Sequence, residues 1–600
     1  MAELSPRIPA SFVLALACLG LAITLTVIPS PFTVDDVNYL VNVVALRHGG
    51  LTVANTAGLT PSRELLFFDP TLRSRVVEAT PVVSNAPPLY AVLALPFAWL
   101  GWRGLVALNT LAYLATILMV FMYARRHAAS TIGPWLGAVA FALGGFALEY
   151  AQGVWPHALS MALCMGGVMA VGRSIDGGRP RTAAVAGLLF ALAAGVRYQN
   201  AAMLLAAGVV VACYASHRWR SIGAFGVAAA VPLSASAVLN FVRLHSWNPI
   251  SKGPGYLTVP NPLNAGRSWL DPLLMFWGQV VDASARPRLI GRDLEFLTYD
   301  PTTGAQLMLG VIAKKAVLQS APWAVLAILL FAIAWAPSSH LPDARPRQVR
   351  LLSIFAIVVV AMFSFAGVQR HDGLAFNQRY LLELLPLAAV VLAWAVDGIA
   401  LEVGDLLAGV AVGVGLVLAI ILGTPIDGGS VVPLWVIRQR AILKLPLVMA
   451  AVLAGLWAAT RRGFAVRRPL SVVLGTCLGW GVAIHLAQDV AGAQRLRAVN
   501  LARTNALAEA LPDHSALVAW FAMNAAAPLL LDRDVVVLWA GADEGRDAPR
   551  LIREMLASGR RVFVMGSGFP DKALALTLAG FQSAPPTVGG LPLVELTRPE

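Results

Sequence analysis

Apolar runs of the length needed to cross a bilayer (about 20 residues) recur along most of this chain, separated by short polar connections. They lie near residues 10–29, 104–123, 132–149, 155–172, 182–196, 200–215, 221–240, 315–336, 351–368, 380–396, 403–422, 443–460 and 469–488. Inside lipid each backbone polar group must bond within its own segment, so such runs predict helices. The expected fold is a polytopic α-helical membrane protein with about 13 transmembrane helices. Near residue 500 the pattern changes. Strand-length runs at Ala516–Phe521, Val535–Trp539, Arg561–Met565 and Leu593–Leu596 alternate with helical patterns at Ala525–Leu531, Ala548–Ser558 and Asp571–Ala579. That alternation predicts a small α/β domain. The chain thus divides into a membrane core, 1–490, and a C-terminal domain, 500–600.

Composition strengthens this picture. Of 600 residues, 58% are hydrophobic and 13% charged, with a mean hydropathy of +0.71. A soluble chain carries about 25% charged residues. The net charge of +13 would suit a nucleic-acid binder only if the basic residues formed a groove. Instead they cluster in alternate short loops, at Arg125-Arg126, Arg173–Arg181, Arg218 and Arg220, Arg345–Arg350 and Arg461–Arg468. The positive-inside rule makes those loops cytoplasmic, so no nucleic-acid partner is expected. The N-terminus is then inside. The long loops 30–103 and 241–314 and the C-terminal domain face outward, periplasmic in a bacterium. Abundant Ala, Arg and Gly suit a bacterial inner membrane. Arg7 before Ala10–Ile28 resembles a secretory signal, but the run is long and lacks a small-x-small site, so an uncleaved first helix is expected. Cys18, Cys164, Cys213 and Cys477 all fall in apolar runs and are expected as small core residues, with no disulfide or metal set among them. Trp323 and Trp435 at helix ends suggest an interfacial belt.

The strongest local signal is Phe32-Thr33-Val34-Asp35-Asp36-Val37-Asn38-Tyr39 after the first run. Thr33 and Asp36 have the spacing of a helix capping box. The positive helix end would also keep Asp35 ionised, as a general base or a metal ligand must be. Pro87-Pro88-Leu89-Tyr90 opens a short apolar stretch suited to an interfacial helix. Candidate outer cations are Arg197, Lys314, Lys315, Arg370 and Arg379. Arg197 sits in the polar break Gly195-Val196-Arg197-Tyr198-Gln199-Asn200, where an ionisable group is costly and tends to be functional. The alternative for Arg197 and Arg379 is snorkelling to the interface, and for Lys314 and Lys315 ordinary anchoring at a helix start. His157, after Glu149-Tyr150-x-x-x-x-Trp155-Pro156, could contact substrate or serve structure; His371 and Asp372 fit a solvated loop. Gly566-Ser567-Gly568 lacks a full phosphate-binding glycine pattern and reads as a loop.

Taken in order, Asp35-Asp36-x-x-Tyr39 with Gly49-Gly50, Pro87-Pro88-Leu89-Tyr90, and Gln378-Arg379-Tyr380-Leu381-Leu382 with Pro386 resemble the GT-C fold glycosyltransferases, in particular the protein O-mannosyltransferases and lipid A aminoarabinose transferases. Two departures stand out: Asp-Asp replaces the usual Asp-Glu, and Ala86 replaces a histidine or tyrosine before the prolines. The resemblance implies transfer of a sugar from a polyprenyl-phosphate donor to a lipid, glycan or protein acceptor on the outer face, inverting the anomeric carbon. It places catalysis at Asp35 and Asp36, and substrate binding at Tyr39, Pro87, Pro88, Tyr90, His157, Arg197, Gln199, Arg379 and Tyr380. A divalent cation, Mg or Mn, would be held by Asp35 or Asp36 if used. The alternatives are a secondary transporter or lipid flippase, against which stand the absence of a repeat and the crowding of polar residues at one edge, and a non-catalytic membrane assembly protein.

Overall fold

The structure is a computed structural model. It describes residues 8–32, 34–47, 86–244, 246–250, 271–283, 315–336, 345–366, 377–423, 432–519, 523–531, 533–539, 548–566, 571–583 and 593–597. Most of the two long loops therefore lies outside the described residues, as do Thr33, Gly49-Gly50, Lys314, Arg370, His371, Asp372, Ser567 and Gly568. The backbone of Asp35 is described, but its side chain is not, nor is that of Trp435.

The membrane part is helical. Its first half contains α1 (Ala10–Thr26), α2 (Val34–Arg47), α3 (Pro88–Ala98), α4 (Gly101–Arg126), α5 (Ile132–Ala142), α6 (Ala147–Ala151), α7 (His157–Gly177), α8 (Pro180–Val196), α9 (Ala201–Tyr214) and α10 (Arg218–Leu244). Then come α11 (Asp271–Phe276), α12 (Val317–Ser320), α13 (Val325–Ala334), α14 (Arg345–Ala366), α15 (Leu385–Ala395), α16 (Val403–Gly423), α17 (Val432–Arg461), α18 (Arg467–Ile484) and α19 (Ala491–Ala510). Every predicted run contains helix, and among the described residues seven helices are long and apolar enough to cross a membrane.

Several runs differ from simple spans for visible reasons. The first helix ends at Thr26 rather than residue 29. The run 132–149 breaks after Ala142, where Gly144 and Gly145 interrupt the ladder before the short α6. The run 315–336 is divided at Ala321-Pro322, because proline cannot donate within the helix. The run 380–396 begins as a 3₁₀ turn, Arg379–Leu384. The last run extends through a π turn, His485–Val490, into α19, one helical stretch from Arg467 to Ala510. It carries the chain across the 490–500 boundary without a flexible linker.

Close packing of α16 on α18 shows how small residues replace a hydrophobic driving force between helices. Gly409 and Gly413 lie against the Val472 and Thr476 carbonyls of α18, and Gly475 and Gly479 against the Leu406 and Val410 carbonyls of α16. A Cβ at Gly413 would overlap the Thr476 carbonyl and lie 2.6 Å from the Trp480 nitrogen, whereas Gly415 has open space. Gly413→Ala should therefore cost about 1–3 kcal/mol by forcing the helices apart. Gly415→Ala should be neutral or better, because alanine is the stronger helix former. Thermal melts of the two purified variants check this; equal melting temperatures would remove the packing argument.

After α19 come β1 (Ser515–Ala519), α20 (Met523–Ala526) running into a 3₁₀ turn, β2 (Val535–Trp539), α21 (Ala548–Ala557), β3 (Arg561–Met565), α22 (Asp571–Leu578), β4 (Gln582–Ser583) and β5 (Leu593–Thr597). The strand order is β2-β1-β3-β5-β4, with β1, β2 and β3 parallel and β5 antiparallel to both β3 and β4. Residues of β1 are buried throughout, as a central parallel strand covered on both faces requires. Only β4, two exposed residues, gave no signal in the sequence.

Two sequence expectations are corrected here. Trp323 is not an interface residue: it is fully buried and its indole donates to the Gly144 carbonyl at 2.7 Å, in the break between α5 and α6. Cys18 and Cys213 are exposed on the helix surface, while Cys164 and Cys477 are buried. A small sulfur side chain suits a lipid-facing position as well as a core one.

Candidate active site

Two of the motif segments meet directly. Helix α2, which begins with the acidic pair, packs against α3, and the ring of Tyr39 stands edge-on to Tyr90 with centroids 5.2 Å apart. Asn109 of α4 donates to Tyr90 Oη (3.0 Å) and to the Gly153 carbonyl (2.8 Å). The circuit closes on Asp36, which is fully buried. Its Oδ2 accepts from the Phe32 amide (2.9 Å), its Oδ1 from the Val154 amide (3.0 Å). The carboxylate thus ties α2 to the turn between α6 and α7. Thr33, the other member of the expected capping box, lies outside the described residues.

Pro87 and Pro88 start α3 as expected, since proline suits the first helical turn. The departure at Ala86 is met by its backbone: its carbonyl accepts from Asn42 Nδ2 (3.1 Å) and Arg243 Nη2 (3.2 Å). The segment therefore remains pinned without a side chain at that position.

Of the candidate cations, Arg197, Lys315 and Arg379 are buried, while Lys314 and Arg370 lie outside the described residues. Arg197 is buried; its Nη1 bonds Glu383 at 2.5 Å and its Nη2 donates to the Arg379 carbonyl at 2.6 Å. Both Arg197 and Arg379 lie over the Tyr380 ring, at 5.7 and 5.5 Å. Ser160 donates to the same Glu383 oxygen, so this ion pair has the additional hydrogen bonds that a buried charge needs. Gln199 is half-buried beside it. His157 is buried at the start of α7, its ring 4.8 Å from Tyr150 and 5.2 Å from Trp155. Its Nδ1 and the Tyr150 hydroxyl have no hydrogen-bond partner among the described residues.

Lys315 is not an anchor at a helix start. It has no exposure and pairs with Asp489 at 3.0 Å, also without exposure. Asp489 lies in the π turn, a helical irregularity that often marks functional sites. His485 Nδ1 lies 2.5 Å from Asp489 Oδ2 and its Nε2 3.0 Å from the Ser320 carbonyl. Asn377 donates to both Asp489 (2.9 Å) and Glu149 (3.1 Å). Glu383, His485, Asp489 and Arg497 were not singled out from sequence, Glu149 only as a neighbour of His157, and Lys315 was weighed as a candidate cation against an anchoring role. The available signal was the presence of ionisable residues inside or beside apolar runs, which lipid makes expensive.

Among the described residues no three His, Cys, Asp or Glu side chains converge as a metal set. Asp36 also directs both oxygens at backbone amides. The side chain of Asp35, the other candidate ligand, lies outside the described residues.

No protein-family profile matches the chain, and no curated protein matches it in sequence. Solved structures do. The crystal structure of ArnT from Cupriavidus metallidurans bound to undecaprenyl phosphate superposes with a TM-score of 0.53 at 14% identity, over 98% of this chain and 98% of that one. Its apo structure gives 0.53 and 14%, over 98% and 97%. The arabinosyltransferase EmbB from Mycobacterium smegmatis is a looser, partial likeness: TM-score 0.44 and 12% identity, over 82% of this chain and 42% of that one. The chain has the GT-C fold of the membrane glycosyltransferases, to which its motifs are similar.

Proposed function

We propose that this protein transfers a sugar from a polyprenyl-phosphate donor to a lipid, glycan or protein acceptor on the outer face of the membrane. One observation carries the reading. The chain superposes along its length on an enzyme captured with undecaprenyl phosphate, and its acidic-pair helix packs against the helix that Pro87-Pro88 opens. A sugar used outside the cytoplasm must arrive attached to something that has crossed the bilayer, and a lipid phosphate meets that need.

In this reading Asp35 takes the proton of the acceptor hydroxyl, which attacks the anomeric carbon as the lipid phosphate leaves. Asp36 holds the helix that presents Asp35. Arg379 stabilises the charge that develops on the leaving phosphate. Arg197, already bonded to Glu383 and to the Arg379 carbonyl, keeps that segment in place.

The test is label transfer from radiolabelled undecaprenyl-phosphate mannose, glucose, galactose and arabinose into host membrane extract by purified protein in nanodiscs. Transfer from at least one donor is expected, with Arg379→Gln slower by roughly 10- to 10²-fold, the worth of one charge-assisted hydrogen bond. Absence of transfer from every donor, with the protein folded, overturns the proposal in favour of a transporter or assembly role.

A further inference from the structure

The residue that precedes Gln378-Arg379-Tyr380 ties three separate parts of the chain together. Asn377 has no exposure, and both the amino group and the oxygen of its amide are engaged. Its Nδ2 donates to Glu149 Oε2 of α6 (3.1 Å) and to Asp489 Oδ2 of the π turn (2.9 Å), while its Oδ1 accepts from Ser320 Oγ of α12 (2.8 Å). All three partners are buried. Two carboxylates and a hydroxyl around one side chain call for two donors and an acceptor. An uncharged amide meets that need, whereas a carboxylate or a hydroxyl does not.

The main chain leaves this cluster through a tight turn. Gln378 has φ −72° and ψ 72°, and the Arg379 amide donates to the Asn377 carbonyl at 2.8 Å, the two marks of an inverse γ-turn. On the other side, the Arg379 carbonyl accepts from Arg197 Nη2 at 2.6 Å. Both backbone polar atoms of Arg379 are therefore held, one through Asn377 and one through Arg197. Its guanidinium lies over the Tyr380 ring at 5.5 Å. With a single turn between the two residues, a shift of Asn377 passes directly to the Arg379 backbone.

Resting on the glycosyl-transfer reading above, we infer that Asn377 is a positioning residue for Arg379. Its grip on Glu149, Asp489 and Ser320 sets where the Arg379 guanidinium meets the leaving phosphate. Asn377 acts through Arg379 and not on the substrate. Its partners lie 228, 112 and 57 residues away along the chain, so the role depends on the fold and not on the local motif. Glutamine at this position keeps the donors and the acceptor but adds a methylene, so it can hold the two carboxylates only by displacing the turn. Serine gives up one donor and the reach of the amide, and so releases the turn.

The experiment is a double-variant cycle in nanodiscs, with whichever of the four undecaprenyl-phosphate donors above the wild type uses. Asn377→Gln and Asn377→Ser are each measured alone and combined with Arg379→Gln, as kcat and donor KM. Alone, each should lower kcat about 10-fold with little change in KM, because a displaced Arg379 is felt in the transition state. In the Arg379→Gln background the same substitution should change kcat less than about 2-fold, since no guanidinium is left to misplace. A role confined to stability lowers the active fraction by the same factor in both backgrounds. Equal losses in the two backgrounds, or wild-type kcat in both Asn377 variants, overturn the inference. Serine serves if the longer glutamine prevents folding, and if neither variant folds, Asn377 is structural and the inference fails. Full activity in Arg379→Gln would remove the role of Arg379 and the inference with it. Transfer of no sugar by the wild type would instead overturn the glycosyl-transfer reading on which both rest.

Discussion

Asparagine in place of Asp35 should lower sugar transfer by about 10²- to 10⁴-fold while leaving the melting temperature unchanged, because the amide has the shape of the carboxylate but is no base. Asp35 is the second residue of α2, in the first turn, where the helix dipole favours a negative charge. The neighbouring acid should behave in the opposite way. Asp36 accepts from two backbone amides, those of Phe32 and Val154. An asparagine there offers one acceptor oxygen and turns an NH₂ towards the other amide. Leaving one buried amide unpaired costs about 1–3 kcal/mol. Asp36→Asn should therefore melt early and lose activity through misplacement of α2. Activity and melting temperature measured on the same preparations separate the two roles. Wild-type activity in Asp35→Asn would remove the base assignment.

What the sequence made legible follows from local physics. Apolar length gave the helices, since lipid allows a segment little else, and alternation gave four strands of the sheet within one or two residues. The runs 132–149 and 315–336, read from hydropathy as unbroken spans, in fact divide at Gly144-Gly145 and Pro322. Tyr39 and Tyr90, from two motifs far apart in sequence, stand in contact. What remained hidden is pairing across the chain. Arg197 and Glu383 are 186 residues apart, and Lys315 and Asp489 are 174 apart. A single sequence shows each charge as an isolated expense, so Lys315 looked like an anchor and Arg497 carried no signal. The π turn was equally silent, because one extra residue in a helix leaves the hydropathy pattern intact.

Replacing Lys315 with methionine should be among the most destabilising single changes in the membrane part, at about 3–5 kcal/mol. The ion pair with Asp489 has no exposure on either side, so the substitution leaves a carboxylate in the interior without its ammonium. Its remaining partners, Asn377 and His485, also position Glu149 and the Ser320 segment, so the disturbance should reach the site. The charge is the cause, and removing it should repair the damage. Adding Asp489→Asn to Lys315→Met should recover much of the loss, whereas Asp489→Asn alone strands the lysine and should be destabilising. Buried pairs depend strongly on each other, so the double variant should be far from the sum of the singles. Thermal inactivation midpoints of the four proteins in nanodiscs measure this. An additive double variant would mean that the pair contributes little to stability. In that case its burial at the π turn would have to be explained by substrate contact, and the Lys315→Met protein, folded but inactive, would show it.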